Sequence, residues 1–312
     1  DNRTVGFNLG RYDPEYELII DPILDYATYL GGEDNEEHIN LTQDDSGNIY
    51  FVGTTASVLN FPLANAQQSV PAGQLDVFIS KLNADGTALE YSTYFGGAND
   101  DHGRSIVVDN LGQAHIAGYT DSDDFPTLNA LQGTRAGLID SFVSKLSADG
   151  STLEFSTYLG GSDGDDQAEE ITLDAQGQVY IVGATNSNDY PTSNAYQASL
   201  ADESDGFISK LSADGSNLVY STYLGGADVD SLNGIRVDSL DRMHVVGTTT
   251  LITGTPTGAA FPIMNASQAV FGGGVSDAVV ARLSSDGSSL DYSTFLGGSG
   301  DEQGLAIAVN ST

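Results

Sequence analysis

Short apolar segments alternate with polar turns along the chain, and the pattern returns at a nearly fixed interval. In one unit, residues 105–109 and 113–119 form two apolar runs, and residues 140–146 and 152–159 form two more. A Ser-Ala-Asp-Gly turn at 147–150 joins the second pair, and an Asp-Gly turn stands at the same place in three other units. Asp-Gly between strand-like runs is typical of a β-hairpin. Because no segment has an apolar period of 3.6 residues, we predict four antiparallel strands per unit and almost no helix.

A heptapeptide ending in Gly-Gly marks the end of each unit. Its copies start at Tyr26, Tyr91, Phe155, Tyr220 and Tyr292, and are therefore 65, 64, 65 and 72 residues apart. Self-similarity at such a period indicates a repeat architecture. The run 179–182 is apolar at every position, so its strand needs cover on both faces. Blades stacked around an axis provide that cover, and we expect the heptapeptide aromatics to pack in the core rather than to bind sugars.

The repeat predicts one all-β domain over residues 1–312, a β-propeller of four-stranded antiparallel blades. Four units are complete, at about 33–97, 98–161, 162–226 and 227–298. The run 305–309 matches only the first strand of a unit, and three strand-like runs near the start of the chain match the other three. We therefore expect five blades, with the last blade split between residues 1–32 and 299–312, because a closed ring has no exposed edge. The alternative is that these ends pair between molecules, which would give a head-to-tail filament.

The third unit shows the full set of recurring residues: Ile171, Asp174, Gly177, Tyr180, Gly183, Thr185, Tyr190-Pro191, Asp205, Phe207, Lys210-Leu211, Asp214-Gly215 and the heptapeptide 220–226. With these motifs the repeat resembles the bacterial β-propeller repeat family known as SBBP, over roughly residues 22–312. The resemblance implies a propeller fold and an exported or surface protein of bacteria or archaea. It implies no catalytic residues.

The charge balance narrows the class of partner. The chain has 44 acidic and 10 basic residues, and its net charge is −34. Such a surface repels nucleic acid and anionic lipid. No apolar run approaches the roughly 18 residues that a membrane span needs, so neither nucleic acid nor membrane insertion is expected. Cysteine is absent, which excludes disulfides, thiolate catalysis and cysteine-bound metal. The first residues lack a signal sequence, so we expect Asp1 to be a mature or trimmed terminus of a protein found outside the cell or at its surface.

The loops between the second and third strands, and the Gly-Gly loops, are expected at one end of the propeller, and they are rich in carboxylates. Closely spaced carboxylates in glycine-rich loops suit Ca²⁺, which takes six to eight oxygen ligands. The candidate metal ligands are Asp121, Asp123, Asp124, Asp163, Asp165 and Asp166. No EF-hand spacing is present. A solvated acidic rim with Asx turns is the alternative that we favour, so no cofactor is required and Ca²⁺ is the only one suggested.

Two further sets of charged residues recur once per unit and are expected to be structural. The acids that follow the Gly-Gly loop are predicted to cap the backbone of the next strand: Glu36, Asp101, Asp166, Asp230 and Glu302. A basic residue in the third strand is predicted to form an ion pair between blades with the acid that starts the same strand. The basic set is Lys81, Lys145, Lys210 and Arg282, and the acidic set is Asp76, Asp140, Asp205 and Asp277. Four sequons make Asn2, Asn40, Asn265 and Asn310 candidate glycosylation sites.

No arrangement in the sequence supports a particular reaction. A Ser-His-Asp pattern near a nucleophile elbow and a phosphate loop are both missing. We therefore predict a non-enzymatic extracellular or cell-surface structural propeller that mediates assembly, as a filament subunit for example, or adhesion. Self-association would be head to tail or through the terminal strands. The alternative is a Ca²⁺-assisted module that binds surface carbohydrate or protein, and the third choice is a polysaccharide-active enzyme.

Overall fold

The computed structural model describes residues 27–251 and 261–310, and these residues contain sixteen β-strands. The first sheet contains β1 (Glu36–Gln43), β2 (Ile49–Thr55), β3 (Asp76–Leu82) and β4 (Leu89–Phe95). The second contains β5 (Asp101–Val108), β6 (Ala114–Thr120), β7 (Asp140–Leu146) and β8 (Leu153–Leu159). The third contains β9 (Asp166–Leu173), β10 (Val179–Thr185), β11 (Asp205–Leu211) and β12 (Leu218–Leu224). The fourth contains β13 (Val229–Val237), β14 (Met243–Thr250), β15 (Ser276–Leu283) and β16 (Leu290–Leu296).

Each sheet is an antiparallel meander in chain order, which confirms the predicted all-β fold of four-stranded blades. The first strands of successive sheets contact one another, so β1, β5, β9 and β13 lie on the inner side of the array. The described residues form no helix, and hence none long and apolar enough to cross a bilayer.

The Asp-Gly turns between the third and fourth strands also build the junctions between blades. Gly150 has a φ of +68°, a conformation that glycine adopts without strain. A Cβ atom on Gly150 would stand 2.3 Å from the ring of Tyr91, the first heptapeptide residue of the preceding blade. Gly215 meets Phe155 in the same way. The turn glycine therefore has two structural roles: it closes the hairpin, and it leaves room for the aromatic ring of the neighbouring blade.

Most heptapeptide aromatics lie in the core, as the sequence predicts, but Tyr29 of the first copy is exposed and Tyr292 of the last copy is half-buried. Tyr91, Phe155 and Tyr220 are buried at the junctions between blades. The second aromatic of the heptapeptide is buried in all four blades, and in the first three it is a tyrosine whose hydroxyl group bonds to the loop between the second and third strands. Tyr158 Oη donates to the Ser122 carbonyl oxygen at 2.7 Å. Buried phenols need such a partner, so each of these three tyrosines both fills the core and fixes the long loop of its own blade.

The glycine in each second strand allows close approach of the first strand. A Cβ atom on Gly183 would stand 1.9 Å from the carbonyl oxygen of Gln167 in β9. We expect Gly183→Ala to lower the free energy of unfolding by about 3 kcal/mol, because the backbone of β9 must move. Equilibrium urea denaturation measures the change. Gly133→Ala is the matched control, since no heavy atom lies within 4 Å of its Cβ position. Equal midpoints for the two variants would contradict the packing described here.

The predicted split blade falls largely outside the described residues. Two of its predicted strands, 5–9 and 16–20, lie in residues 1–26, which are not described, and so does half of a third, 23–30, whose described residues 27–30 are not assigned as a strand. Residues 301–310 follow the fourth blade: Glu302 N donates to Ser276 O at 2.8 Å, and Gly304 N donates to Gly247 O at 3.2 Å. Residues 305–309 are not assigned as a strand. The described chain thus contains four complete blades, and closure by a fifth stays a prediction.

Candidate functional site

Carboxyl groups from successive blades approach one another at the blade junctions. A Cβ atom on Gly225, the first glycine of its Gly-Gly pair, would stand 2.3 Å from Asp205 Oδ1 and 2.8 Å from Asp230 Oδ2. The same arrangement surrounds the equivalent glycines of the other two complete junctions, between Asp76 and Asp101 and between Asp140 and Asp166. The first position of the Gly-Gly pair therefore requires glycine, because two carboxyl groups occupy the space that a side chain would need. The sequence alone does not reveal this requirement.

Backbone N–H groups hold each carboxyl group in place. Asp140 Oδ2 accepts from Ala136 N at 2.8 Å, and Asp140 Oδ1 accepts from Gly137 N at 2.9 Å. On the other side of the junction, Asp166 Oδ2 accepts from Gly161 N at 2.7 Å. The predicted capping role is thus observed, and the capped group is the second glycine N–H of the Gly-Gly loop that leads into the strand. The same bond is made by Glu36, Asp101, Asp230 and Glu302.

These carboxyl groups are buried without a cationic partner among the described residues. Asp205 and Asp230 have no exposed surface, and Asp205 Oδ1 has no hydrogen-bond partner in the described chain. Burial and then the nearby Asp230 raise the pKa of Asp205 to about 7. Burial raises the pKa of Asp230 to about 6 and that of Asp101 to about 7. The junctions therefore hold carboxyl groups whose charged form is disfavoured.

The predicted ion pairs between blades are wrong. Lys210 Nζ lies 3.2 Å from Asp174 Oδ2, and Lys145 Nζ lies 3.1 Å from Asp109 Oδ2, each within one blade. The other two basic residues pair with the fourth strand of their own blade, in Lys81–Glu90 and Arg282–Asp291. The physical reason is the length of the strand. Since the basic residue stands five positions after the acid that starts the strand, its side chain lies towards the opposite end of the blade.

The first set of candidate metal ligands is divided between different environments. Asp163 is exposed and accepts from Asn188 N at 2.9 Å and Asn188 Nδ2 at 3.0 Å. Asp165 is half-buried, and its Oδ1 has no partner in the described chain. Asp166 points into the junction, where it accepts from Gly161 N and Ser187 Oγ.

The second set, in the loop between β6 and β7, is divided as well. Asp121 Oδ1 accepts from Asp100 N at 2.7 Å, and Asp124 Oδ1 accepts from Ala98 N at 2.8 Å. Asp123 is exposed and pairs with Arg135 at 2.7 Å. Across the described residues, no three His, Asp or Glu side chains are grouped to hold a metal ion. Calcium binding by these loops stays a prediction, and the contacts observed are bonds that fix one loop to the next.

The candidate glycosylation sites differ in their surroundings. Asn2 lies outside the described residues. Asn40 is half-buried and its Oδ1 accepts from Ile106 N at 3.3 Å, between the first two blades. Asn265 and Asn310 are exposed, and Asn265 Nδ2 donates to Asp291 O at 2.9 Å. Glycosylation at these positions stays a prediction.

One recurring residue escaped the sequence analysis. Asn265 has a φ of +48°, and the other units place an asparagine at the same position with the same conformation and the same bond to the fourth strand: Asn65, Asn129 and Asn194. Asparagine tolerates this left-handed conformation better than most residues. Its recurrence at one position per unit was the signal that would have revealed this structural role.

Comparison with solved structures finds distant similarity. A protein of unknown function from Dyadobacter fermentans is 12% identical with a TM-score of 0.43, over 84% of this chain and 75% of that one. A variant of NanB sialidase from Streptococcus pneumoniae is 7% identical with a TM-score of 0.47, over 86% of this chain and 53% of that one. A polysaccharide lyase of family PL25, an ulvan lyase, is 12% identical with a TM-score of 0.43, over 85% and 59%. At these values the similarity carries no information about activity.

Comparison of sequences gives a more specific result. No curated protein matches the chain. The family model described as "Beta-propeller repeat", SBBP, matches residues 90–126 and 154–191. Each match starts in the fourth strand of one blade and ends in the long loop of the next blade. It therefore includes the heptapeptide with its Gly-Gly loop, and the hairpin formed by the first and second strands. These two segments therefore match the SBBP β-propeller repeat, in agreement with the four-stranded blades of the described residues.

Proposed function

We propose that the chain is a non-enzymatic structural propeller, outside the cell or at its surface, that mediates assembly or adhesion by contact between copies. Apolar positions that are buried at the internal junctions lie open on the two outermost blades, and this observation carries the proposal. The net charge of −34 supports an extracellular setting, where salt screens self-repulsion.

The first blade presents one open face. Leu41 in β1 is 61% exposed. The residues at its position in the other three blades are at most 4% exposed: Ile106, Ile171 and Ile235. Those three side chains are covered by the blade that precedes theirs.

The fourth blade presents the other open face. Leu296, in the last heptapeptide, is 62% exposed. Its counterparts are at most 1% exposed: Phe95, Leu159 and Leu224. Burying a leucine of this kind is worth about 2 kcal/mol, so two exposed faces favour association.

The two faces are complementary to each other, because the internal junctions provide the template. Ile106 and Phe95 share one buried cluster, and they are the counterparts of Leu41 and Leu296. Residues 301–310 already lie against the fourth blade where the first strand of a following blade packs, since Glu302 N bonds to Ser276 O as Asp101 N bonds to Leu75 O. A second copy would therefore place its first blade beyond this segment, against the exposed Leu296, in a head-to-tail contact. Within the molecule, Leu30 packs against the cluster of Phe61, Phe78 and Tyr94 on the first blade. Closure by the chain's own N-terminal residues is thus the competing outcome.

Light scattering after size exclusion, with electron microscopy of the same fractions, tests the proposal. We expect concentration-dependent oligomers or fibres, and we expect Leu41→Asp or Leu296→Asp to weaken association by about 30-fold or more. Leu111→Asp, at an exposed hairpin turn, is the control and should associate like the unaltered chain. A mixture of the Leu41→Asp and Leu296→Asp chains should stop at dimers, since each keeps one intact face. Monomers at every concentration would overturn the proposal in favour of closure within one molecule.

A further inference from the structure

The junction between the third and fourth blades brings two carboxyl groups together in a site with no exposed surface. Asp205 Oδ1 and Asp230 Oδ2 both face the Cβ position of Gly225, at 2.3 Å and 2.8 Å. The other oxygen of Asp205, Oδ2, accepts from Ala201 N at 2.9 Å and from Gln197 Nε2 at 2.6 Å. Asp230 Oδ2 accepts from Gly226 N at 2.6 Å, whereas Asp205 Oδ1 and Asp230 Oδ1 have no hydrogen-bond partner in the described chain.

The titratable groups around Asp205 and Asp230 are acidic or neutral, so none of them stabilises a negative charge on both carboxyl groups. Asp202, from the loop before β11, and Asp228, from the loop before β13, add negative charge near Asp205 and Asp230 respectively. Tyr223 in β12 is a phenol whose own pKa is raised to about 12, mainly by burial, and so it is neutral. No lysine, arginine or histidine of the described chain forms an ion pair with Asp205 or Asp230.

Two carboxylates that are fully buried against the same glycine cannot both be charged at low cost. A proton held between them removes the repulsion and gives an unpartnered oxygen a hydrogen bond. The raised pKa values of both groups agree with this arrangement.

We propose that Asp205 and Asp230 share one proton between the third and fourth blades at neutral pH, and that loss of this proton weakens the junction. Because the folded pair binds its proton more tightly than the unfolded chain does, the stability that it confers is complete below about pH 4. That stability is lost as the pH rises through the folded-state pKa values of about 6 and 7. The repeated arrangement at Asp76–Asp101 places an equivalent device at the junction between the first and second blades.

Thermal unfolding between pH 5 and pH 8 gives the first test. We expect the midpoint of the unaltered chain to fall by about 5 °C over this range. Asp205→Asn removes the titrating group, so it should raise the midpoint at pH 8 and make the pH-dependent fall smaller than in the unaltered chain. Glu203→Gln is the charge-matched control, because Glu203 is exposed in the same loop, and its profile should follow that of the unaltered chain.

Infrared spectroscopy gives a second test that does not depend on how well a variant folds. At pH 7 the unaltered protein should show the C=O band of protonated carboxylic acids, and Asp205→Asn or Asp230→Asn should each reduce it. Absence of that band would overturn the proposal. A calcium effect would overturn it as well. If added Ca²⁺ raised the unfolding midpoint of the unaltered chain at pH 8 but not that of Asp205→Asn, a cation rather than a proton would neutralise the pair.

Discussion

Replacing Phe142 with alanine should lower the free energy of unfolding by about 4 kcal/mol, one of the two largest effects that we expect from a single substitution. Phe142 has no exposed surface, and its ring lies 4.5 Å from that of Phe125 and 6.4 Å from that of Phe95, measured between centroids. Phe95 belongs to the preceding blade, so the substitution leaves a cavity at the junction between two blades. Domains are stable by only about 5–15 kcal/mol, and the loss is therefore a large fraction of the total.

Equilibrium denaturation in urea measures this loss, and a surface residue of the same blade provides the comparison. Leu111 is exposed at the turn between β5 and β6, and Leu111→Ala should change the free energy of unfolding by less than about 0.5 kcal/mol. A Phe142→Ala chain as stable as Leu111→Ala would show that the rings at this junction do not pack as described.

The second large effect should follow from Asp174→Asn, which we expect to lower the free energy of unfolding by about 3 kcal/mol or more. Asp174 Oδ2 lies 3.2 Å from Lys210 Nζ and accepts from Tyr180 Oη at 3.1 Å. The side chains of Asp174 and Lys210 are 0% and 9% exposed. Asparagine keeps the shape of aspartate but carries no charge, so the lysine would be left buried without a counter-charge.

An exposed ion pair offers the matched control for this substitution. Asp123 pairs with Arg135 at 2.7 Å, but its side chain is 81% exposed. Asp123→Asn should therefore cost at most about 1 kcal/mol, since water screens an exposed pair. Comparable losses for Asp174→Asn and Asp123→Asn, measured by the same denaturation experiment, would mean that burial of the lysine pair has no energetic consequence.

Much of the fold follows from the sequence because its signals are local and repeated. The alternation of apolar runs and the turn at Asp149-Gly150 specify a hairpin within a few residues. The heptapeptide then gives the period, and the period gives the blades. The core position of Tyr91 and its counterparts follows from the need to cover both faces of each sheet.

The rest depends on how blades are placed against one another, which no local signal records. Asp205 and Asp230 belong to different blades, and only the fit of one sheet against the next makes them neighbours. The basic residues show the same limit, since the sequence identifies their recurrence but not the end of the strand towards which Lys210 reaches. The first glycine of each Gly-Gly pair appears in the sequence as the end of a strand, whereas two carboxyl groups explain it in the structure.

The contact between a turn glycine and the preceding aromatic ring has a consequence for engineering. Gly150, Gly215 and Gly287 each meet a ring at the same place in the unit before their own. A whole unit cut from one hairpin turn to the next would therefore carry a matching donor and acceptor surface at its two ends. We therefore expect such units to be interchangeable, so that splicing at these turns would give arrays of other lengths.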